Sequence, residues 1–319
     1  MGIMDMYQQG EAALRTKEYG RLLDYVESGF VQENDRRLLD RYVFRQRCVD
    51  AKEAATGLSV LGVQLSAPMV MSAMTMPIPA MADDGLLQVA RGLKAAGSLM
   101  WTGTPLPKNL KDLAATGVPV VANVKPLRDR HTMHQEIEAI VQGGATWLGL
   151  EVDTGQGTKV GDKEMGFDCV PYTCREIEEI KKRLPIPLVC KGVLSKEDAR
   201  KCADFGADLL VVSNHGGHTL DYLPHPFQVM DDIVEAVGHR VELMVDGGFR
   251  RGSDILKGLA FGASLVGLGR PILYALAAGG ENGVSDLLKE LKQELTRLMT
   301  MVGAASPEEI SRDMLMESS

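Results

Sequence analysis

Aromatic residues are scarce in this chain, at 5% of 319 positions with only two tryptophans. A core must therefore be built from Leu, Val, Ala and Met, and an apolar content of 45% supplies enough of them for a sizeable one. Cysteines number five (Cys48, Cys169, Cys174, Cys190 and Cys202), and none forms a Cys-x-x-Cys pair. An odd set without that spacing reads as free thiols in a reducing cytoplasm. There is no long basic run, and 35 Lys and Arg against 43 Asp and Glu leave a net charge of −8. That balance excludes general binding of nucleic acid or anionic membrane, while a local basic pocket for one phosphate stays open. No basic segment followed by an apolar one opens the chain, so no signal peptide is read. The most apolar stretch, PMVMSAMTMPIPAMA over 68–82, is too short and too proline-broken to span a bilayer. A charged fraction of 24% is ordinary and excludes a disordered, tail-like protein. The expectation is a soluble cytoplasmic protein.

What is present is a repeated alternation. Near-continuous apolar runs stand at 67–73 (APMVMSA), 97–103 (GSLMWTG), 118–124 (VPVVANV) and 146–152 (TWLGLEV). Four more follow at 187–193 (PLVCKGV), 208–214 (DLLVVSN), 241–248 (VELMVDGG) and 264–270 (SLVGLGR). Continuous rather than alternating apolar runs suit parallel strands covered on both faces. Between them lie charged amphipathic stretches. In one, DDGLLQVARGLKAAG, Asp83 and Asp84 offer N-terminal charge; in another, SKEDARKCADFGA, Ser195 is a candidate N-cap with Asp198 three residues on. Eight strand–helix units predict an α/β protein, a closed (β/α)₈ TIM barrel, with an open doubly wound sheet as the runner-up. The whole chain, 1–319, reads as one domain: a helical extension over 1–60, the barrel over 61–282, and C-terminal helices over 283–319. Within the last segment, Ser306 followed by Pro307, Glu308 and Glu309 looks like a helix start.

In such barrels function gathers where the strands end at their C-termini. Asp153, Lys191, Asn214, His215, Asp246 and Arg270 occupy those ends. Ionisable groups on consecutive strand ends point to one shared site, and a lysine on an otherwise apolar strand is costly unless it has a use. After the last two strands come Asp246-Gly247-Gly248-Phe249-Arg250-Arg251-Gly252 and Gly267-Leu268-Gly269-Arg270-Pro271. Glycines let backbone N–H groups approach phosphate oxygens, and arginines add bidentate charge-assisted bonds. Two such loops in adjacent units predict a phosphate site. His131 and His134, three apart on a helix, read as a solvated face with no third ligand, so no metal is expected. His225, between two prolines, reads as a loop residue. The methionines read as core filler.

These residues carry a resemblance. The segments SNHGGHTLD (213–221), VDGGFRRGSDILKGLAFGA (245–263) and VGLGRPILYALAAGGENGV (266–284) resemble the FMN-dependent α-hydroxy acid oxidase and dehydrogenase family of glycolate and lactate oxidases. So do VCKGVLSKEDA (189–199), APMVMSAM (67–74), LDYVESGFVQEN (23–34) and EISRDML (309–315), so that the likeness covers most of the chain. The resemblance implies FMN as cofactor, His215 as catalytic base, Asp153 as the carboxylate stabilising its protonated form, and Lys191 beside flavin N1. It makes Tyr25 a contact for the substrate carboxylate. It assigns the cofactor to Ala73, Thr75, Asn123, Glu151, Ser213, Asp246, Gly247, Gly248, Arg250, Gly269 and Arg270, together with Lys191 and His215. Asn123 and Glu151 stand where the family commonly has Gln and Thr. A homo-oligomer, tetramer or octamer, is implied as well.

The departures from the family are concentrated on the substrate side. Where the family has an arginine three residues after the catalytic histidine, this chain has His218. A second arginine, a few residues past Asp153, is replaced within Gly155-Gln156-Gly157-Thr158-Lys159-Val160. Lys125 stands in place of an active-site tyrosine, and the loop after the fourth strand is short. Lys125 and His218 are therefore the candidates for holding the substrate carboxylate. The function implied is oxidation of a lactate- or glycolate-like 2-hydroxy acid to the 2-oxo acid, electrons passing to oxygen or another acceptor. The alternatives are a non-redox FMN enzyme of the isopentenyl diphosphate isomerase type, a flavoenzyme with a non-standard substrate, or a flavin-binding protein of little turnover.

Overall fold

The computed structural model describes residues 2–16, 23, 26–158 and 166–318. Eight parallel strands form the central sheet: β1 (Met69–Met71), β2 (Met100–Thr102), β3 (Val120–Val124) and β4 (Trp147–Glu151), then β5 (Leu188–Val193), β6 (Leu209–Val212), β7 (Glu242–Val245) and β8 (Leu265–Leu268). Each lies in one of the apolar runs. β8 pairs back onto β1, and the remaining seam is closed by Met71 N–H donating to Leu99 O at 3.2 Å. The sheet is thus a barrel and not an open doubly wound layer.

Side chains alternate along each strand, and this period of two sorts the site from the core. Val70, Leu99, Trp101, Val121, Trp147, Val189, Leu209, Val211, Met244 and Leu265 fill the interior. Their neighbours, among them Met71, Met100, Val120, Leu148, Cys190 and Leu210, face outward under the helices. One step further along, the inward positions turn polar: Ser72, Asn123, Glu151, Lys191, Ser213 and Asp246, all buried. That polar layer is the floor of the C-terminal mouth. The opposite end is stoppered by an antiparallel hairpin, Leu58–Val60 with Val63–Leu65, whose apolar residues join the interior cluster.

The segments outside the barrel differ from the expectation of helices alone. Helices α1 (Ile3–Arg15) and α2 (Phe30–Asp40) are present, but Tyr42–Phe44 is a strand and 58–60 is half of the hairpin. The hairpin turns on Leu61 (φ 44°) and Gly62 (φ 79°), the pair of left-handed residues that a two-residue turn needs. At the other end, one long helix, here α3 (Arg270–Val302), starts directly after β8, bends at Gly279–Gly280 and stops at Gly303 with φ 83°. Ser306 makes no side-chain cap: Pro307–Glu309 is a single 3₁₀ turn, and the chain then forms a strand, Leu315–Glu317, antiparallel to Tyr42–Phe44. Backbone pairing between the two ends of the chain outweighs the local helix signal there.

The extension reaches the mouth from outside. α1 lies on α3, with Tyr7 and Tyr274 rings 5.7 Å apart. The Tyr7 hydroxyl donates to Arg250 O at 2.7 Å, and Gly10 is required because a Cβ there would fall 2.1 Å from Tyr274 O.

Candidate active site

His215 follows β6 and is held by Asp153, which follows β4: His215 Nδ1 and Asp153 Oδ2 are 2.8 Å apart. His215 sits at φ 54°, followed by Gly216 and Gly217 at 61° and 81°. A non-glycine residue there costs about 1–2 kcal/mol, which the surroundings must supply. They do so through hydrogen bonds: Ser213 Oγ accepts from His215 N–H at 3.1 Å, and Gln32 of α2 donates to Gly216 O at 2.7 Å. The His218 ring lies 6.5 Å from that of His215, centroid to centroid.

Lys191, inward on β5, is buried, and its Nζ has no hydrogen-bond partner among the described residues. A buried ammonium without a partner is costly, and together with the unpaired Ser72 Oγ and Asp153 Oδ1 it marks the place for a polar ligand. Glu151 stands in direct register with Lys191 on the neighbouring strand. Its carboxylate nevertheless turns to other partners. Oε1 accepts from Asn123 Nδ2 at 3.0 Å, and Oε2 pairs with Lys125 Nζ at 2.8 Å. Asn123 Oδ1 in turn accepts from the Trp101 indole at 2.7 Å. Burial alone would push the Glu151 carboxyl up, but the positive charges of Lys125, His215 and Lys191 and the bond from Lys125 outweigh it and hold the group at about 2. Lys125 is therefore a buried, ion-paired group.

The loop after β7 turns through Gly247 (φ 124°) and Gly248 (φ 77°), conformations that favour glycine. Around Gly269, after β8, a Cβ would meet nothing within 4 Å, so there is open space beside the backbone there. Beside these loops is a cavity of about 560 Å³ lined by Tyr7, Arg36, Arg250, Arg251, Arg270 and Tyr274. Arg36 and Arg251 are engaged by Asp254 and Glu294. Arg250 and Arg270 line the same cavity, and glycine amides with two guanidiniums suit a phosphate ester.

Two further residues brace this cradle, Asp35, which no motif marks, and His225, which reads from sequence only as a loop residue. Asp35 of α2 accepts from Asn214 Nδ2 at 2.7 Å. Burial raises its carboxyl to about 7, against the lowering effects of the Asn214 bond and Arg270. His225 is fully buried: Nδ1 accepts from Phe227 N–H at 3.1 Å, and Nε2 lies 3.3 Å from Gly247 O. Burial pushes this imidazole down to about 3, so it is neutral and donates to the glycine loop. Tyr25 and Lys159 lie outside the described residues. Ala73 is half-buried and Thr75 buried just past β1, where the Thr75 hydroxyl donates to Gly103 O at 2.8 Å.

A barrel whose mouth joins an imidazole–carboxylate pair, an unpartnered lysine and a two-loop phosphate cradle defines a class: flavin mononucleotide oxidoreductases. The family model for FMN-dependent dehydrogenases matches residues 16–173 and 168–317. The chain belongs to that family, and its cofactor is FMN. It is 31% identical to glycolate oxidase 3 of Arabidopsis thaliana over 91% of this chain and 89% of that one. With glycolate oxidase 1 of Oryza sativa subsp. indica it shares 28% identity over 98% and 95% of the two chains. Among solved structures, mandelate oxidase superposes with a TM-score of 0.89 at 28% identity, covering 99% of this chain and 98% of that one. Mandelate oxidase with (S)-2-phenylpropionate gives the same TM-score, 0.89, at 29% identity.

Proposed function

We propose that the protein oxidises a 2-hydroxy acid to the 2-oxo acid. The observation that carries this reading is the His215–Asp153 hydrogen bond of 2.8 Å together with Lys191, whose Nζ has no hydrogen-bond partner among the described residues. With Nδ1 committed to Asp153, His215 Nε2 faces the substrate as the base, and Asp153 fixes the tautomer and stabilises the imidazolium that forms. Bound FMN supplies the acceptor for the electron pair leaving the 2-carbon. Lys191 would supply positive charge beside the bound cofactor, and the pair of loops after β7 and β8 would hold its phosphate. The relatives named glycolate oxidase and mandelate oxidase support a 2-hydroxy acid as substrate. Anaerobic mixing of the FMN-loaded protein with 2-hydroxy acids tests this: bleaching of the flavin supports the reading, and its absence with every acid tried refutes it.

For the substrate carboxylate we assign Lys125, with His218 and Tyr25 as further contacts. Lys125→Met raises KM for a carboxylate substrate tenfold or more, because a charged hydrogen bond contributes about 1.5–3 kcal/mol; an unchanged KM removes the assignment. A cytoplasmic location is supported by the free state of all five cysteines and is checked by cell fractionation. A homo-oligomer is supported by the exposed Leu220 and Tyr222 on the segment just after His215, and is checked by sedimentation.

A further inference from the structure

Among the inward residues at the mouth, Glu151 places a negative charge level with Lys191, the wrong sign for a site that accumulates electrons. A buried carboxylate is costly unless it has partners, and here Oε1 accepts from Asn123 while Oε2 is ion-paired with Lys125. The network is fixed at each end. Trp101 donates to Asn123 Oδ1, which leaves the amide nitrogen of Asn123 to face Glu151. Gly149, directly across from Asn123 in the ladder, gives that side chain room: a Cβ there would fall 1.8 Å from Asn123 Oδ1. Lys191 is level with Glu151 on the adjacent strand, so the two project into the same layer, yet Lys191 is left out of the network. At this level of the floor the Glu151 carboxylate is committed to Lys125, with Lys191 beside the pair on the next strand.

We propose that Glu151 sets both the anion affinity of the substrate pocket and the reduction potential of the bound flavin, by neutralising Lys125. A substrate carboxylate then has to compete with Glu151 for the Lys125 ammonium. The negative charge of Glu151 also lowers the positive potential that Lys125 and Lys191 together present to the flavin. This rests on the assignment of Lys125 to the substrate side and of the mouth to FMN. Glu151 is a specificity-determining residue acting through Lys125, and it has no part in proton transfer.

Glu151→Gln removes the charge and keeps an oxygen to accept from Asn123. In the FMN-loaded protein, oxalate, an unreactive dicarboxylate, is titrated against the visible flavin spectrum, and the two-electron midpoint potential is measured. The expected results are an oxalate Kd about tenfold lower and a potential about 30 mV higher, the equivalent of a tenfold gain for the reduced form. Both values unchanged would overturn the proposal. The effect on oxalate should vanish when Glu151→Gln is made on a Lys125→Met background; persistence there would show that Glu151 does not act through Lys125 and would equally overturn it. If Glu151→Gln does not accumulate with FMN bound, Glu151→Asp, which keeps the charge and loosens the pair, should tighten oxalate in the same direction, and no change refutes the idea. Neither readout requires turnover, so a failure of the 2-hydroxy acid reading is seen separately, as a flavin that binds oxalate but is reduced by no 2-hydroxy acid.

Discussion

Gly192 leaves empty the space that Asp153 occupies: a Cβ at position 192 would fall 2.1 Å from Asp153 Cγ. The position also has φ 97°, where a side chain is strained. The contact between Asp153 and His215 thus depends on a residue of the neighbouring strand that has no functional group. Gly192→Ala displaces Asp153 and with it the imidazole. A misplacement of about 1 Å costs on the order of 10²-fold in rate. Stopped-flow flavin reduction should slow by that factor while FMN stays bound; an unaltered rate would show that Asp153 need not hold His215.

Asp35 makes stability depend on pH in an unusual direction. Its carboxyl is raised from 3.8 to about 7 by burial, so the folded protein holds a proton that the unfolded chain releases. The stabilisation this gives is complete below about pH 4 and is lost as pH rises through about 7. Its magnitude is on the order of 4 kcal/mol. Asp35→Asn keeps an acceptor for Asn214 and removes the ionisation. Thermal unfolding of the FMN-loaded protein should show the variant gaining on the parent at pH 8 relative to pH 5. A constant difference between the two would refute the buried titration.

The phosphate cradle is tested through Arg250. No side-chain partner ties it down among the described residues, unlike Arg36 and Arg251. Arg250→Met should weaken FMN binding by roughly 10- to 100-fold, the equivalent of about 1.5–3 kcal/mol for a charged hydrogen bond. Quenching of flavin fluorescence on binding reads the constant directly, and an unchanged value would move the phosphate elsewhere.

The barrel was legible because its strands are buried on both faces. Val120–Val124 and Trp147–Glu151 are buried at every position, so they read as continuous apolar runs. The polar interruptions Asn123, Glu151 and Lys191 stood out against that background. The hairpin at 58–65 did not, since strands of three residues give too few alternations to register. The terminal strand Leu315–Glu317 is defined by a partner more than 270 residues away, and no local pattern announces it. The same distance hides Asp35, whose contact to Asn214 spans 179 positions. His225 acts on the backbone of Gly247, which leaves no trace in residue type. The pairing of Lys125 with Glu151 was also out of reach, because neighbouring strands of a barrel meet sideways across a whole intervening helix.

The most direct measurement compares the FMN-loaded parent protein with His215→Ala, mixing each anaerobically with a set of 2-hydroxy acids and following the loss of visible flavin absorbance. The account predicts reduction of the parent by at least one acid and a variant that stays yellow, its reduction slowed by 10²-fold or more, as loss of a general base implies. Equal rates in the two proteins would contradict it.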